Sequence, residues 1–145
     1  MRRAIIIICL FFGIVTASTK TDDLLVKGDE FYFKGDLQKA LTYYYEAEDS
    51  DPGNLGAMTG IYNASINSGG IKAANDYAYK LVKADNSEIN QDRVIYSDAL
   101  LGKTAYAEKM LKSDLQYYRR KIIYSLAGWG LSQTGYYQET ADWYK

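Results

Sequence analysis

The sequence contains no histidine, one cysteine and one proline in 145 residues. Without histidine, the chain cannot form a serine or cysteine triad with an imidazole base, or a zinc site with imidazole ligands. Its 17 basic and 18 acidic residues give a formal net charge of −1. This balance argues against a general nucleic-acid binder, because neutralising phosphates needs a clustered positive surface. We therefore expect no catalytic residues, no cofactor and no metal site.

Tyrosine is the abundant aromatic residue, with 15 tyrosines against four phenylalanines. A tyrosine ring covers apolar surface while its hydroxyl stays hydrated, which suits half-buried helix faces and binding grooves. Apolar residues make up 48% of the chain and charged residues 24%, as is typical of a globular protein. A length of 145 residues is enough to bury the core of one domain.

The N-terminus has the organisation of a secretory signal peptide over residues 1–17. Two arginines precede an apolar stretch at residues 4–15, and small residues up to Ala17 form a cleavage site. Twelve apolar residues span about 18 Å as a helix, less than the roughly 30 Å of hydrocarbon in a bilayer. Cleavage and export, to the periplasm or outside the cell, are therefore favoured over an uncleaved membrane anchor. Cys9 would be removed with this segment, leaving no cysteine for a disulfide.

A period of 33 to 34 residues runs through the remaining chain, 18–145. It is marked by glycines that are followed five residues later by a small residue and nine residues later, in most cases, by an apolar one. The glycines are Gly35, Gly69, Gly102 and Gly135; the small residues are Ala40, Ala74, Ala107 and Thr140; the third set is Tyr44, Ala78, Leu111 and Tyr144. Such a period is typical of arrays of helix pairs. Each glycine is predicted to end one helix in a left-handed conformation, and the small residue lets the next helix pack closely against it.

The segment that follows Gly35 shows the pattern most clearly. Its apolar residues recur at helical spacing along one stripe, namely Leu37, Ala40, Leu41, Tyr44 and Ala47. Asp51-Pro52 is predicted to close this helix, because the residue before a proline avoids the helical region. Residues 21–54 resemble a tetratricopeptide repeat through Leu24, Lys27-Gly28, Phe31, Ala40, Tyr44, Ala47 and Pro52. Lys27 departs from the family pattern, which has an apolar residue there.

The resemblance extends over units at residues 55–87 and 88–120 and a partial unit at residues 121–145. The second unit departs from the family pattern at Tyr62, where a small residue is expected, and the third is the most divergent. The family resemblance implies an all-α fold, a right-handed α-solenoid of antiparallel helix pairs. It also implies a concave groove lined by the first helix of each unit.

The resemblance assigns the ligand-facing positions of that groove residue by residue. They are Leu25, Asp29, Tyr32 and Phe33 in the first unit, Thr59, Asn63, Ile66 and Asn67 in the second, Asp92, Arg93, Tyr96 and Leu100 in the third, and Ser125, Trp129 and Gln133 in the fourth. Aromatic, amide and charged groups together are typical of a peptide-binding surface. Some family members grip the C-terminal carboxylate of a peptide, but Leu25 and Asp29 stand where that clamp needs lysine and asparagine.

The sequence thus predicts a non-catalytic exported scaffold that binds a protein or peptide in its groove, with neither nucleic acid nor a small-molecule substrate as its ligand. One alternative is self-assembly through the C-terminal end, where Tyr136, Tyr137, Trp143 and Tyr144 are expected to be exposed. Another is an accessory arm of an enzyme whose catalytic domain lies beyond residue 145. Charge is also uneven, because residues 20–54 hold nine acidic and four basic residues, whereas residues 109–121 are mainly basic.

Overall fold

The computed structural model of the protein describes residues 20–145, and the predicted signal peptide lies outside them. Those residues form eight helices and no strand, which confirms the all-α class. The helices are α1 at residues 20–33, α2 at Leu37–Ser50, α3 at Leu55–Asn67, α4 at Ile71–Ala84, α5 at Glu88–Leu100, α6 at Ala105–Leu111, α7 at Tyr117–Gln133 and α8 at Tyr137–Trp143. None of these helices is long and apolar enough to cross a membrane.

The four periodic glycines occupy the left-handed backbone region predicted from the sequence. Their φ angles are 79° at Gly35, 80° at Gly69, 72° at Gly102 and 82° at Gly135. After Gly35, the backbone N–H of Asp36 donates to the carbonyl oxygen of Phe31 at 3.0 Å, which satisfies an orphan carbonyl at the end of α1. The period therefore marks helix ends, and each glycine lies between one helix and the next.

Helix α2 begins and ends where its sequence predicts. The Asp36 side chain accepts a hydrogen bond from the backbone N–H of Lys39, so it acts as the N-cap. The helix ends at Ser50, directly before Asp51-Pro52, as expected from the restriction that proline imposes. Asn54 then caps α3 by accepting from the backbone N–H of Ala57 at 3.0 Å.

The chain divides into two compact units between Ser68 and Gly69. In the first unit, α1, α2 and α3 share a core in which Leu24, Ala47 and Ala57 are buried together. The ring of Tyr44, on α2, is buried between glycines of the two other helices. A Cβ added at Gly28 or at Gly60 would lie 2.5 Å from an atom of this ring. The absence of side chains at these two positions therefore makes room for the tyrosine.

The second unit contains α4 to α8, and one core cluster in it joins Ile95 of α5, Ala107 of α6, and Ile123 and Ala127 of α7. Helix α6 is short, at seven residues, and α7 begins at Tyr117, earlier than the boundary at residue 121 drawn from the sequence. The buried guanidinium of Arg119 accounts for the early start, because it ties the first turn of α7 to α5.

Candidate binding surfaces

The first unit carries a cleft between the end of α1 and the face of α3. Its volume is about 430 Å³, and we call it the Asp29 cleft. It is lined by Asp29, Tyr32, Phe33, Tyr44, Leu55, Gly56, Thr59, Gly60 and Asn63. The cleft thus brings together five of the ligand-facing residues assigned from the family resemblance, which belong to the first and second predicted repeats.

Tyr44 and Asp29 form a fixed pair on one side of this cleft. The buried Tyr44 hydroxyl donates to Oδ1 of Asp29 at 2.6 Å. Burial, and secondly the carboxylate of Asp29, raise the pKa of the Tyr44 hydroxyl well above its ordinary value. Tyr44 therefore remains a protonated donor at neutral pH and holds the Asp29 carboxylate in one orientation.

The aromatic wall of the cleft comes from the last turn of α1. The rings of Tyr32 and Phe33 meet edge to face, with centroids 5.7 Å apart and an interplanar angle of 81°. Asn67 Nδ2 donates to the Tyr32 hydroxyl, so Asn67 supports this wall. Phe33 is 84% exposed and offers most of its ring to a partner.

Two other first-unit positions contribute mainly to packing. Leu25 is half-buried against the core cluster of Leu24, Ala47 and Ala57. Ile66 is also half-buried, on α3. Neither of them lines the Asp29 cleft.

The second unit carries a separate aromatic surface formed by Tyr96 of α5 and Trp129 of α7. Their rings stack with centroids 4.9 Å apart and an interplanar angle of 19°, and we call this pair the aromatic stack. Trp129 is nevertheless 53% exposed. Helices α5 and α7 approach closely beside it, because a Cβ at Gly130 would lie 2.6 Å from the Cβ of Ala99. The stack is therefore fixed in place while one broad aromatic surface stays open.

The other predicted ligand-facing residues of the second unit differ in their exposure to solvent. Arg93 is half-buried, and its Nη1 donates to Oδ1 of Asn90. Leu100 is only 7% exposed, so it contributes to the core of the unit rather than to a surface. Ser125 and Gln133 are exposed on α7. Ser125, Trp129 and Gln133 are thus the exposed predicted positions of this unit, and Tyr96 is half-buried in the stack.

Asp92 had been assigned to the groove, but its carboxylate is held by Arg119. Nη1 of Arg119 lies 2.5 Å from Oδ1 of Asp92, and Nη2 donates to Gln91 Oε1 at 3.2 Å. Arg119 is only 6% exposed. Burial raises the pKa of Asp92, although the guanidinium opposes this rise. Sequence reasoning missed this ion pair, because it counted Arg119 only as one of the basic residues of the segment 109–121.

A second buried polar network joins α4 to α5. The buried carboxylate of Asp98 accepts from Asn75 Nδ2 at 2.9 Å and from the Tyr79 hydroxyl at 2.7 Å. Burial, and secondly Asp98, raise the pKa of Tyr79. The repeat register contained a signal for this network. Asp98 precedes Gly102 at the spacing that separates Phe31 from Gly35, so an acid occupies an aromatic position.

The C-terminal aromatics are less uniformly exposed than the sequence predicted. Trp143 is half-buried; its Nε1 donates to the carbonyl oxygen of Tyr124 at 3.0 Å, and the two rings lie 5.3 Å apart. Tyr136 is half-buried over Gly102, and Tyr144 lies across Gly128 while remaining mostly exposed. Tyr137 is the most exposed of the four, at 76%.

No protein-family model matches this chain, and no curated protein matches it at a significant level. Within residues 20–145, no group of three or more His, Cys, Asp or Glu side chains is placed to hold a metal ion.

Proposed function

We propose that the protein is a non-catalytic scaffold whose tetratricopeptide-like repeats, arranged as a right-handed solenoid, bind a protein or peptide through their first helices. The recurrence of a left-handed glycine after α1, α3, α5 and α7 supports the repeat assignment. Full burial of Ala40 and Ala74 on the second helices supports the same register.

The observation that carries the binding proposal is the aromatic stack. A tryptophan that is more than half exposed usually contributes little to the stability of a monomer. Here Trp129 is held against Tyr96 by ring stacking, so its orientation is set before any partner arrives. Binding then loses little rotamer freedom, and rigid aromatic anchors of this kind dominate the binding energy of many interfaces.

The proposed location is outside the cytoplasm, in the periplasm or the medium. It rests on the basic and apolar organisation of residues 1–17. Intact-mass measurement of the protein from its native host is expected to give a chain that begins at or near Ser18. A mass that includes residues 1–17 would contradict export by cleavage.

The binding proposal is tested by recovering partners from the exported fraction with the intact chain and measuring their affinity for variants. Trp129→Ala or Tyr96→Ala is expected to weaken binding by about 2 kcal/mol, with helical circular dichroism retained. Tyr118→Ala is the matched control, because Tyr118 is an exposed aromatic on the same helix and outside the stack. If the native chain and the Trp129→Ala, Tyr96→Ala and Tyr118→Ala variants bound the partner with equal affinity, the proposal would be contradicted.

Self-association through α8 is the second candidate, and the exposure of Tyr137 is the observation that favours it. Light scattering after size exclusion would detect the oligomer, and Tyr137→Ala is expected to dissociate it. Tyr137 is a better probe than Trp143, because truncating Trp143 would also remove its packing on Tyr124. If binding survives the Trp129 variant but is lost with Tyr137→Ala, end-on assembly is the function.

A further inference from the structure

The Asp29 cleft has an unbalanced negative charge. Asp29 is the single charged residue among the nine that line it. The facing helix, α3, contains no charged residue along Leu55–Asn67. A ligand entering the cleft therefore meets a carboxylate with no cation lining the same cavity.

The neighbouring acids have cations of their own. Glu30 pairs with Lys34 at 2.5 Å, and Asp36 pairs with Lys39 at 2.8 Å. Over residues 20–145, the Asp29 carboxylate takes part in one hydrogen bond, the one from the Tyr44 hydroxyl, and in no ion pair. A carboxylate can accept about four hydrogen bonds, so Asp29 has capacity left for a ligand.

The aromatic wall adds a second feature that favours a cation. The rings of Tyr32 and Phe33 stand at nearly a right angle, which presents a ring face and a ring edge in one corner of the cleft. Ammonium and guanidinium groups are attracted to aromatic faces, and arginine and lysine stems cover apolar surface with their methylenes. Opposite this wall, Thr59 and Asn63 supply a hydroxyl and an amide that can bind a peptide backbone.

The charge of the surrounding sequence acts in the same direction. Residues 20–68 hold nine acidic and four basic residues. Such an excess raises the local concentration of cations and speeds their association at low ionic strength. Long-range attraction, a free acceptor and an aromatic corner thus all select the same type of ligand.

We propose that the Asp29 cleft binds a lysine or arginine side chain of an extended peptide, with the cation on Asp29 and its stem against Tyr32 and Phe33. This inference rests on the proposed scaffold function and names the class of residue that one of its surfaces recognises. The expected gain over an uncharged side chain of equal length is about fivefold in affinity, since both contributions are made in partly exposed surroundings.

The test is an NMR titration of the full chain with acetylated, amidated pentapeptide pools. Each pool has one fixed central residue, either lysine, arginine, norleucine or glutamate, and randomised neighbours. The lysine and arginine pools are expected to shift the amide signals of Thr59, Gly60 and Asn63 and to bind about fivefold more tightly than the norleucine pool. Asp29→Asn, which keeps an acceptor for Tyr44, is expected to abolish that preference.

Asp49→Asn is the matched control, because it removes the same charge from an exposed position on α2 outside the cleft. If both variants lose the preference equally, general electrostatic attraction explains the binding and the cleft assignment is overturned. Equal affinity for lysine and norleucine pools would overturn cation selectivity while leaving peptide binding intact. An absence of shifts at the cleft with any pool would overturn the inference, and the Trp129 and Tyr96 variants would still judge the scaffold proposal separately.

Discussion

The clamped ring of Tyr44 leads to an unusual expectation for a glycine-to-alanine change in a helix. A Cβ at residue 60 would lie 2.5 Å from Cδ1 and 2.7 Å from Cγ of Tyr44. Cγ is bonded to the Cβ of the tyrosine, so a rotation of the ring cannot relieve the contact. Gly28 also lies against Cδ1 and Cε1 of the ring, and the Tyr44 hydroxyl is held by Asp29. Gly60→Ala therefore requires α2 and α3 to separate.

The magnitude follows from two opposing contributions. Overpacking a close contact costs about 1–3 kcal/mol, and the lack of an escape route for this ring places Gly60→Ala at the upper end. Alanine is about 1 kcal/mol more favourable than glycine in a helix interior. We expect Gly60→Ala to lower the free energy of unfolding by about 2 kcal/mol in the native background.

The background decides the sign of this effect. With Tyr44→Ala the ring is gone, and Gly60→Ala is expected to raise the free energy of unfolding by up to about 1 kcal/mol. Urea unfolding followed by circular dichroism measures all four proteins in one buffer, with sucrose added because Tyr44→Ala alone is strongly destabilising. The same sign in both backgrounds would refute the clamp, because the cost would then come from something other than the ring.

Two further predictions concern the repeat register and the buried ion pair. Ala40→Leu is expected to cost about 1–3 kcal/mol of unfolding free energy because Ala40 is fully buried, whereas Gln38→Leu at an exposed site should stay within about 0.5 kcal/mol; equal urea midpoints would contradict the register. Arg119→Met should cost about 2–3 kcal/mol at neutral pH by leaving Asp92 without its cation. Burial already raises the pKa of Asp92, and we expect the loss of Arg119 to raise it further. A carboxyl whose pKa is higher in the folded state favours folding while it is protonated. Its contribution to the free energy of unfolding is therefore lost as the pH rises above about 3.9, the ordinary pKa of aspartate. The cost of Arg119→Met, measured by urea melts, should therefore shrink near pH 4, and the same cost at both pH values would refute the role assigned to the pair.

The sequence by itself determined the helical class and the places where helices end. Helix formation depends on residues three or four positions apart, and a left-handed turn depends on one glycine, so both can be read locally. The positive φ angles of Gly35 and Gly102 and the burial of Ala40 follow from such local signals repeated at a fixed period. Tyr96 and Trp129 were assigned to first helices by the family resemblance, which did not show that their rings touch.

Only the tertiary structure decided which polar and aromatic side chains meet. The family resemblance assigned Asp92 and Leu100 to a groove, yet Arg119 holds the first and the core encloses the second. Such outcomes depend on the distance and rotation between helices, which are set by close contacts like that of Gly130 with Ala99. If one helix slid along its neighbour by the rise of a single residue, these side chains would have different partners, although every helix would stay intact. The pairing of side chains between helices is governed by packing, whereas each helix forms from its own local pattern.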